Sequence, residues 1–447
     1  MQKKIGVGIY TLGCKVNQYE SEAIAENFST RGFEVRTATE PCDIYVINTC
    51  TVTAESDRKA RQFIRRAIKQ NPHAYILVTG CLSQTQPEAV ATISGVDYIC
   101  GNAQKLSVVD AAVSLLEKGE KPDHPIMSCP PPDANGFEQM HITHFDRTRA
   151  YVKIEDGCES RCTYCIIPDA RGKIRSRAPS DVLREVRELT ENGCREIVLT
   201  GIETASYGKD LDGYTLADLL CEIDAIPNIG RIRLGSLDPS LMKQRFVDRI
   251  AALSSLAPHF HLSMQSGSDK ILALMKRKYN TRIAREGMER LRRAMPNVQF
   301  TTDMIVGFPG ETEEDFANTL DFIRKAKFLM IHVFPYSRRK GTPAATMEGQ
   351  IPEEIKKQRV ATLSAAQAEI RKQILDGMIG KTAEVLLETF ANGTAKGHTP
   401  HFVEVSVPYD APACRALTLG VRITGHNGMT CMGEIVSKIG KDEQNGI

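Results

Sequence analysis

Between residues 150 and 334 an apolar, strand-like run recurs six times, near 150–154, 196–201, 231–236, 259–264, 299–306 and 329–334. Each run is followed by a polar stretch compatible with a helix. A strand that re-enters its sheet after such a crossover must run parallel to its predecessor. Six βα units predict an α/β fold with a partial (βα)6 barrel, short of the usual eight. The same alternation opens the chain, with runs at 5–12, 44–48 and 75–79, and predicts an N-terminal parallel α/β sheet domain. Segments 381–388, 401–407, 417–424 and 430–438 lack helical periodicity and read as strands of a small C-terminal β-barrel. Five prolines in 121–136 mark a seam. A second seam follows a helical stretch at 351–376, where Gly377 and Gly380 close it. The expected organisation is 1–120, a linker at 121–144, the barrel at 145–375 and the last unit at 378–447.

No apolar run approaches the ~20 residues that span a bilayer. The N-terminus, MQKKIGVGIYTLGCKVN, reads as a first strand rather than a leader. A cytoplasmic protein without a membrane partner is expected. Thirteen cysteines in such a chain are then better explained by metal ligation than by disulfides. Cys42, Cys100, Cys129, Cys194, Cys221, Cys414 and Cys431 show no ligand spacing and read as small buried hydrophobes.

Cys158, Cys162 and Cys165 lie within eight residues, directly after the first barrel strand. Three thiolates on one loop can hold three corners of a [4Fe–4S] cube and leave one iron open. A zinc or purely structural site is the alternative, although zinc wants a fourth ligand that no neighbour supplies. The Cys-x3-Cys-x2-Cys spacing, with Tyr164 before the last cysteine, resembles the radical S-adenosylmethionine superfamily. That resemblance implies that the open iron holds the methionine end of S-adenosyl-L-methionine and that one electron yields a 5′-deoxyadenosyl radical. It further implies that Tyr164 borders the adenine. Thr200-Gly201-Ile202-Glu203 would meet the methionine amino group. Gln265-Ser266 and the loop beginning at Gly307 would form later parts of the cofactor wall. Asp169 and the segment Glu203-Thr204-Ala205-Ser206 depart from the family pattern.

Cys14, Cys50 and Cys81 are far apart in sequence, yet each directly follows an expected strand. Parallel strands end on one edge, where ligands gather; the alternative is three independent loop cysteines. Thr11-Leu12-Gly13-Cys14-Lys15-Val16-Asn17-Gln18, Asn48-Thr49-Cys50 and Thr79-Gly80-Cys81 resemble the N-terminal signature of methylthiotransferases. The resemblance extends over nearly the full chain and implies a second [4Fe–4S] cluster on these cysteines. It also implies two uses of S-adenosyl-L-methionine, as methyl donor and as radical source. An electron donor such as flavodoxin or ferredoxin and a sulfide source would be needed.

Within the family, Gly13-Cys14-Lys15-Val16-Asn17 resembles the branch that modifies carbon 2 of N6-threonylcarbamoyladenosine at tRNA position 37. The branches acting on isopentenyladenosine or on a ribosomal protein are the alternatives. A non-catalytic iron–sulfur RNA-binding or redox-sensing protein is the remote one.

The net charge of +2 is uninformative about nucleic acid. Local charge says more. Residues 58–69 carry six basic and no acidic side chains, 276–293 eight basic and two acidic, and 171–177 four basic. Such patches neutralise phosphates or are merely solvated helix faces. Arg175 or Arg177 is the expected partner of a threonylcarbamoyl carboxylate. The C-terminal unit resembles a TRAM domain around Gly397-His398-Thr399 and Phe402-Val403-Glu404-Val405, which implies RNA binding. Its six basic and seven acidic residues depart from that expectation.

Overall fold

The computed structural model describes residues 4–145, 147–412 and 416–438. Six strands, β1 (Gly6–Thr11), β2 (Glu34–Arg36), β3 (Ile44–Thr49), β4 (Tyr75–Gly80), β5 (Tyr98–Cys100) and β6 (Ile126–Ser128), form one sheet in the order β2-β1-β3-β4-β5-β6. All its pairings are parallel. Strands β3 and β4 are buried at every residue, as parallel strands covered on both faces must be. Tyr45, Ile47, Ile76 and Val78 pack on one side with Ala60, Ile64 and Ala67 of helix Ala54–Gln70. Ile44, Val46 and Leu77 pack on the other with Ile24 and Phe28 of helix Lys15–Thr30 and with Val108 and Ala112. Strand β6 lies inside the expected linker and extends the sheet beyond β5.

The central arc contains β7 (Arg149–Lys153), β8 (Glu155–Asp156), β9 (Arg175–Ser176), β10 (Glu196–Thr200), β11 (Arg231–Leu234), β12 (Ser236–Leu237), β13 (His259–Gln265), β14 (Gln299–Val306) and β15 (Met330–Pro335). Strands β8 and β9 form a small antiparallel pair beside it. The rest make two parallel sheets, β11-β10-β7 and β12-β13-β14-β15. Only Gly235 separates β11 from β12. The third expected strand is therefore bent at one residue and passes the arc from one sheet to the other. Strands β7 and β15 lie at the two free ends, as a partial barrel requires. The helix Glu353–Asp376 follows β15 and buries Leu363 and Ile370 in the main core.

The C-terminal unit is a closed barrel of β16 (Thr382–Ala391), β17 (Thr394–His398), β18 (Glu404–Pro408), β19 (Thr418–His426) and β20 (Cys431–Lys438), ordered β16-β17-β18-β20-β19. Strand β17 is an addition to the four expected. Its turn residues Asn392 and Gly393 have φ of 51° and 70°, the left-handed pair that a two-residue hairpin needs. The barrel docks on the end where the arc strands begin. Arg149 pairs with Glu388, and Arg231 Nη2 reaches Glu384 Oε1 at 2.7 Å. Phe402 stacks on His259 at 4.6 Å and His398 at 4.8 Å, with the Arg149 and Arg233 guanidiniums over its ring.

Candidate functional site

The opposite end of the arc, where its strands finish, carries the first cysteine set. After β7 and β8 the chain turns through Gly157 into the loop holding Cys158, Cys162 and Cys165. Cys158 N donates to Gly172 O at 3.0 Å, and Cys165 N to Cys162 O at 3.0 Å, so the loop is held by its own backbone. Every sulfur has a nitrogen donor. Ser160 N lies 3.4 Å from Cys158 Sγ, Ile167 N 3.4 Å from Cys165 Sγ, and Arg277 Nη1 3.1 Å from Cys162 Sγ. Arg277 is fixed in turn by Asp238 Oδ2 at 3.0 Å and by the Ser263 carbonyl. Burial, reinforced by the Glu203 carboxylate, pushes the Cys158 thiol up to about 12, and burial does the same to Cys165.

The second set sits on the N-terminal sheet. Strands β1, β3 and β4 are neighbours, and Cys14, Cys50 and Cys81 follow their C-terminal ends. Asn17 Nδ2 donates to Leu12 O at 2.7 Å and Thr49 O at 2.9 Å, binding the first two strand ends together. Gly13 abuts the second cysteine, since a Cβ there would lie 2.8 Å from Cys50 Sγ. Gly80 has φ +101° and backs so closely onto β3 that a Cβ would sit 2.4 Å from Thr49 O. Cys50 is within electrostatic reach of both Cys81 and Cys14, and burial pushes it up to about 11. The amides of Asn17 and Val52 favour ionised Cys14 and Cys50, and Asn102 Nδ2 lies 3.5 Å from Cys81 Sγ.

Between the two sets lies a cavity of about 240 Å³, lined by Val52 and Thr53 on one side and by Tyr164, Gln265, Asp303, Ile305 and Phe334 on the other. Tyr164 meets Phe308 edge-on at 6.5 Å. Glu203 Oε2 accepts from Cys158 Sγ at 3.2 Å and Ser160 Oγ at 2.8 Å. Gly201 presses on the buried Glu155, whose Oε2 accepts from Glu203 N at 2.8 Å. Ser266 Oγ accepts from Ser268 N, and Gly307 N donates to Glu311.

The structure corrects one expectation. Arg175 and Arg177 are buried and already bonded within the protein. Arg177 is buried against Glu185 and Tyr19, and Arg175 bonds the Arg171 and Lys173 carbonyls at 2.9 Å. Of the four cations in 171–177 only Lys173 is exposed. Along 276–293, Arg282, Arg285 and Arg290 pair with glutamates of their own helix. Along 58–69, Arg58, Lys59, Arg65, Arg66 and Lys69 stand exposed, and of these Arg58 pairs with Glu55 of its own helix. Sequence reasoning passed over Arg277, Asp238, Asn102 and Arg171, whose places depend on residues distant in the chain.

Cysteine thiols lose their protons when a metal binds them. Nitrogen donors on the sulfurs are what cluster thiolates use to spread their charge. Both sets therefore fit iron–sulfur ligation. Among the described residues no group of His, Cys, Asp or Glu is gathered to hold a single metal ion.

Residues 152–323 match the Radical SAM superfamily, and residues 6–101 match the Uncharacterized protein family UPF0004. A solved radical S-adenosylmethionine methyltransferase, TsrM from Kitasatospora setae, superposes with a TM-score of 0.57 at 17% identity, covering 88% of this chain and 81% of that one. The parallel arc with its cysteine loop thus has the fold of a radical S-adenosylmethionine enzyme. A Bacillus subtilis protein named threonylcarbamoyladenosine tRNA methylthiotransferase MtaB is 40% identical over 89% of this chain and 89% of its own. Its Thermotoga maritima namesake is 37% identical, covering 89% and 90%. A tRNA-2-methylthio-N(6)-dimethylallyladenosine synthase of Acetivibrio thermocellus is also 37% identical, over 85% and 79%. The chain belongs to the radical S-adenosylmethionine methylthiotransferase family.

Proposed function

We propose that this enzyme adds a methylthio group to carbon 2 of N6-threonylcarbamoyladenosine at tRNA position 37, next to the anticodon. The observation that carries the reading is the cavity shared by Tyr164 and Gln265, from the radical side, and by Val52 and Thr53, from the loop after Cys50. Val52 stands two residues after Cys50 and Tyr164 between Cys162 and Cys165, so a base seated there would touch segments that carry both sets. The names of the 40% and 37% identical relatives support the substrate, as does the Lys15-Val16 pair of the signature.

Carbon 2 of adenine carries a C–H bond that is neither acidic nor polarised, so no general base removes it usefully. Cys158, Cys162 and Cys165 would hold one [4Fe–4S] cluster, and Cys14, Cys50 and Cys81 the other. When bound, these groups with S-adenosyl-L-methionine supply the hydrogen-abstracting radical and the methylated sulfur. The remaining work belongs to the chain. Arg277 orients Cys162 and is itself locked by Asp238. Glu203, with Gly201, would receive the methionine ammonium, while Tyr164, Gln265, Ser266 and Gly307 would wall the cofactor. The exposed cations of 58–69 would hold the phosphate backbone, and the C-terminal barrel would act as a TRAM-type RNA contact. A flavodoxin or ferredoxin would deliver electrons, and a sulfide source would replenish sulfur. A cytoplasmic setting follows from such a substrate, and no described helix is long and apolar enough to cross a membrane.

The test is nucleoside mass spectrometry of tRNA incubated with the reconstituted enzyme. One tRNA comes from cells unable to make the threonylcarbamoyl group, the other carries it. Methylthiolation of only the second is expected. Equal modification of both, or activity only on dimethylallyl-bearing tRNA, overturns the substrate.

A further inference from the structure

We infer that Phe334 is the platform on which the purine to be modified stacks, with Val52 against its other face. This rests on the substrate reading above. An aromatic ring gains most by leaving water, and the chain obeys that rule almost throughout. The described residues include all fifteen phenylalanines and twelve tyrosines, and among them only Phe334 stands exposed, at 46%. Its place is specific. Phe334 belongs to β15, the strand at one free end of the arc, and is paired there with Ile305 of β14. Both side chains line the cavity between the two cysteine sets. Val52, 53% exposed, lines the same cavity from the loop after Cys50.

The two apolar walls are clamped to each other. Arg339, five residues after Phe334, is buried, bonds Asp57 Oδ2 at 2.7 Å and also bonds Thr51 Oγ1, the residue before Val52. Ala54 N lies 3.5 Å from Ser337 Oγ and adds a second tie. The slot is therefore built open, and its exposed ring does not come from a loose loop. One ring and one valine in a recess are far too little for a protein partner, which would need several hundred Å² of its own surface covered. They do suit a single flat base. The surrounding charge agrees, because helix Ala54–Gln70 begins two residues after Val52 and carries the exposed Arg58, Lys59, Arg65, Arg66 and Lys69. A stacking ring beside a row of cations is the pattern by which proteins hold an unpaired nucleotide and its backbone.

The experiment uses the reconstituted holoenzyme with two synthetic anticodon stem–loops, one carrying N6-threonylcarbamoyladenosine at position 37 and one abasic there. Dissociation constants are measured by fluorescence anisotropy for wild type, Phe334→Ala, Phe334→Leu and Phe334→Tyr. Wild type should bind the intact stem–loop more tightly than the abasic one. In Phe334→Ala that margin should shrink about 10- to 100-fold, the worth of one base–aromatic stack. Phe334→Leu keeps an apolar side chain without a flat face and should lose the margin too, whereas Phe334→Tyr should keep it. The abasic stem–loop should bind all four proteins alike. An undiminished margin in Phe334→Ala and Phe334→Leu, or an equal loss on both stem–loops, would overturn the inference. So would a matching rise in the KM for S-adenosyl-L-methionine in RNA-free cleavage, which would assign the ring to the cofactor. Should Phe334→Ala lose iron, the leucine and tyrosine variants decide in the same way. The substrate reading fails separately: an unmodified-adenosine stem–loop methylthiolated as well as the modified one would overturn that reading and leave the stack standing.

Discussion

Arg171 Nη2 donates to Asn17 Oδ1 at 2.6 Å, and this bond joins the helix that follows Cys14 to the short helix Ile167–Arg171 that follows Cys165. The same guanidinium bonds Glu20 Oε1 at 2.7 Å and Asp156 Oδ1 at 3.1 Å. Glu20 is also held by Lys105 and, at 2.8 Å, by Lys153. All of these side chains are buried. Removing one member of a buried ionic set leaves its partners uncompensated, at a cost of about 3–5 kcal/mol. Arg171→Leu should therefore lower the unfolding free energy of the metal-free protein by about that amount and move its urea midpoint downward accordingly. A change within error would show that the neighbouring lysines suffice.

The acid limit of the same network is also predictable. Burial opposes ionisation of Asp156, but the Arg171 and Lys153 charges outweigh it and hold the carboxyl at about 2; Glu20 is likewise held well below its usual range. Both carboxyls are depressed by folding, so their contribution is complete above the unfolded value of about 4. It is lost as pH falls from there toward 2. The melting temperature of the wild type should lose this contribution only below pH ~4. In Arg171→Leu the decline over this range should be shallower, because the folded carboxyls then titrate closer to their unfolded values and less is left to lose. Coincident acid limbs for the two proteins would count against the network.

Iron analysis separates the two cysteine sets. Alanine at Cys158, Cys162 and Cys165 should halve the iron bound after anaerobic reconstitution and abolish cleavage of S-adenosyl-L-methionine. Alanine at Cys14, Cys50 and Cys81 should also halve the iron while cleavage to 5′-deoxyadenosine continues. Loss of all iron in both variants, or zinc in place of iron, would refute the two-cluster assignment.

Gly80→Ala tests whether the backbone, not only the thiols, builds the second set. The added methyl would meet Thr49 O at 2.4 Å in a conformation that L side chains resist. The expected result is loss of the iron on Cys14, Cys50 and Cys81 with retention of the other cluster. Full iron content would mean that β3 and β4 separate more easily than their packing indicates.

Reversing the charges of Arg61, Arg65 and Arg66 on helix Ala54–Gln70 should weaken tRNA binding and flatten its dependence on salt. Iron content should not move. An unchanged salt slope would reduce this face to ordinary solvated surface.

The central arc was legible because its buried strands carry short apolar cores, such as Ile197-Val198-Leu199 in β10. Its six strands fall within a residue or two of their expected places. The strand-end positions of Cys14, Cys50 and Cys81 were legible for the same reason. Strand β17 was not, since Thr394-Ala395-Lys396-Gly397-His398 has a glycine and few apolar residues, although the Asn392-Gly393 turn announced a hairpin. Cations defeated the reading of 171–177. A run of arginines looks the same whether water or a carboxylate receives it, and the receivers Glu20 and Glu185 belong to other helices.

The clasp around Arg171 has a consequence for traffic in the cleft. Swinging the sheet away from the arc would part Arg171 from Asn17 and Glu20, and Lys153 from Glu20, stranding several charges at once. The two cysteine sets are thus mounted like two tools on one jig, at a spacing that ordinary thermal motion does not reset. The walls of the slot between Thr53 and Tyr164 are thereby held in one relation to each other.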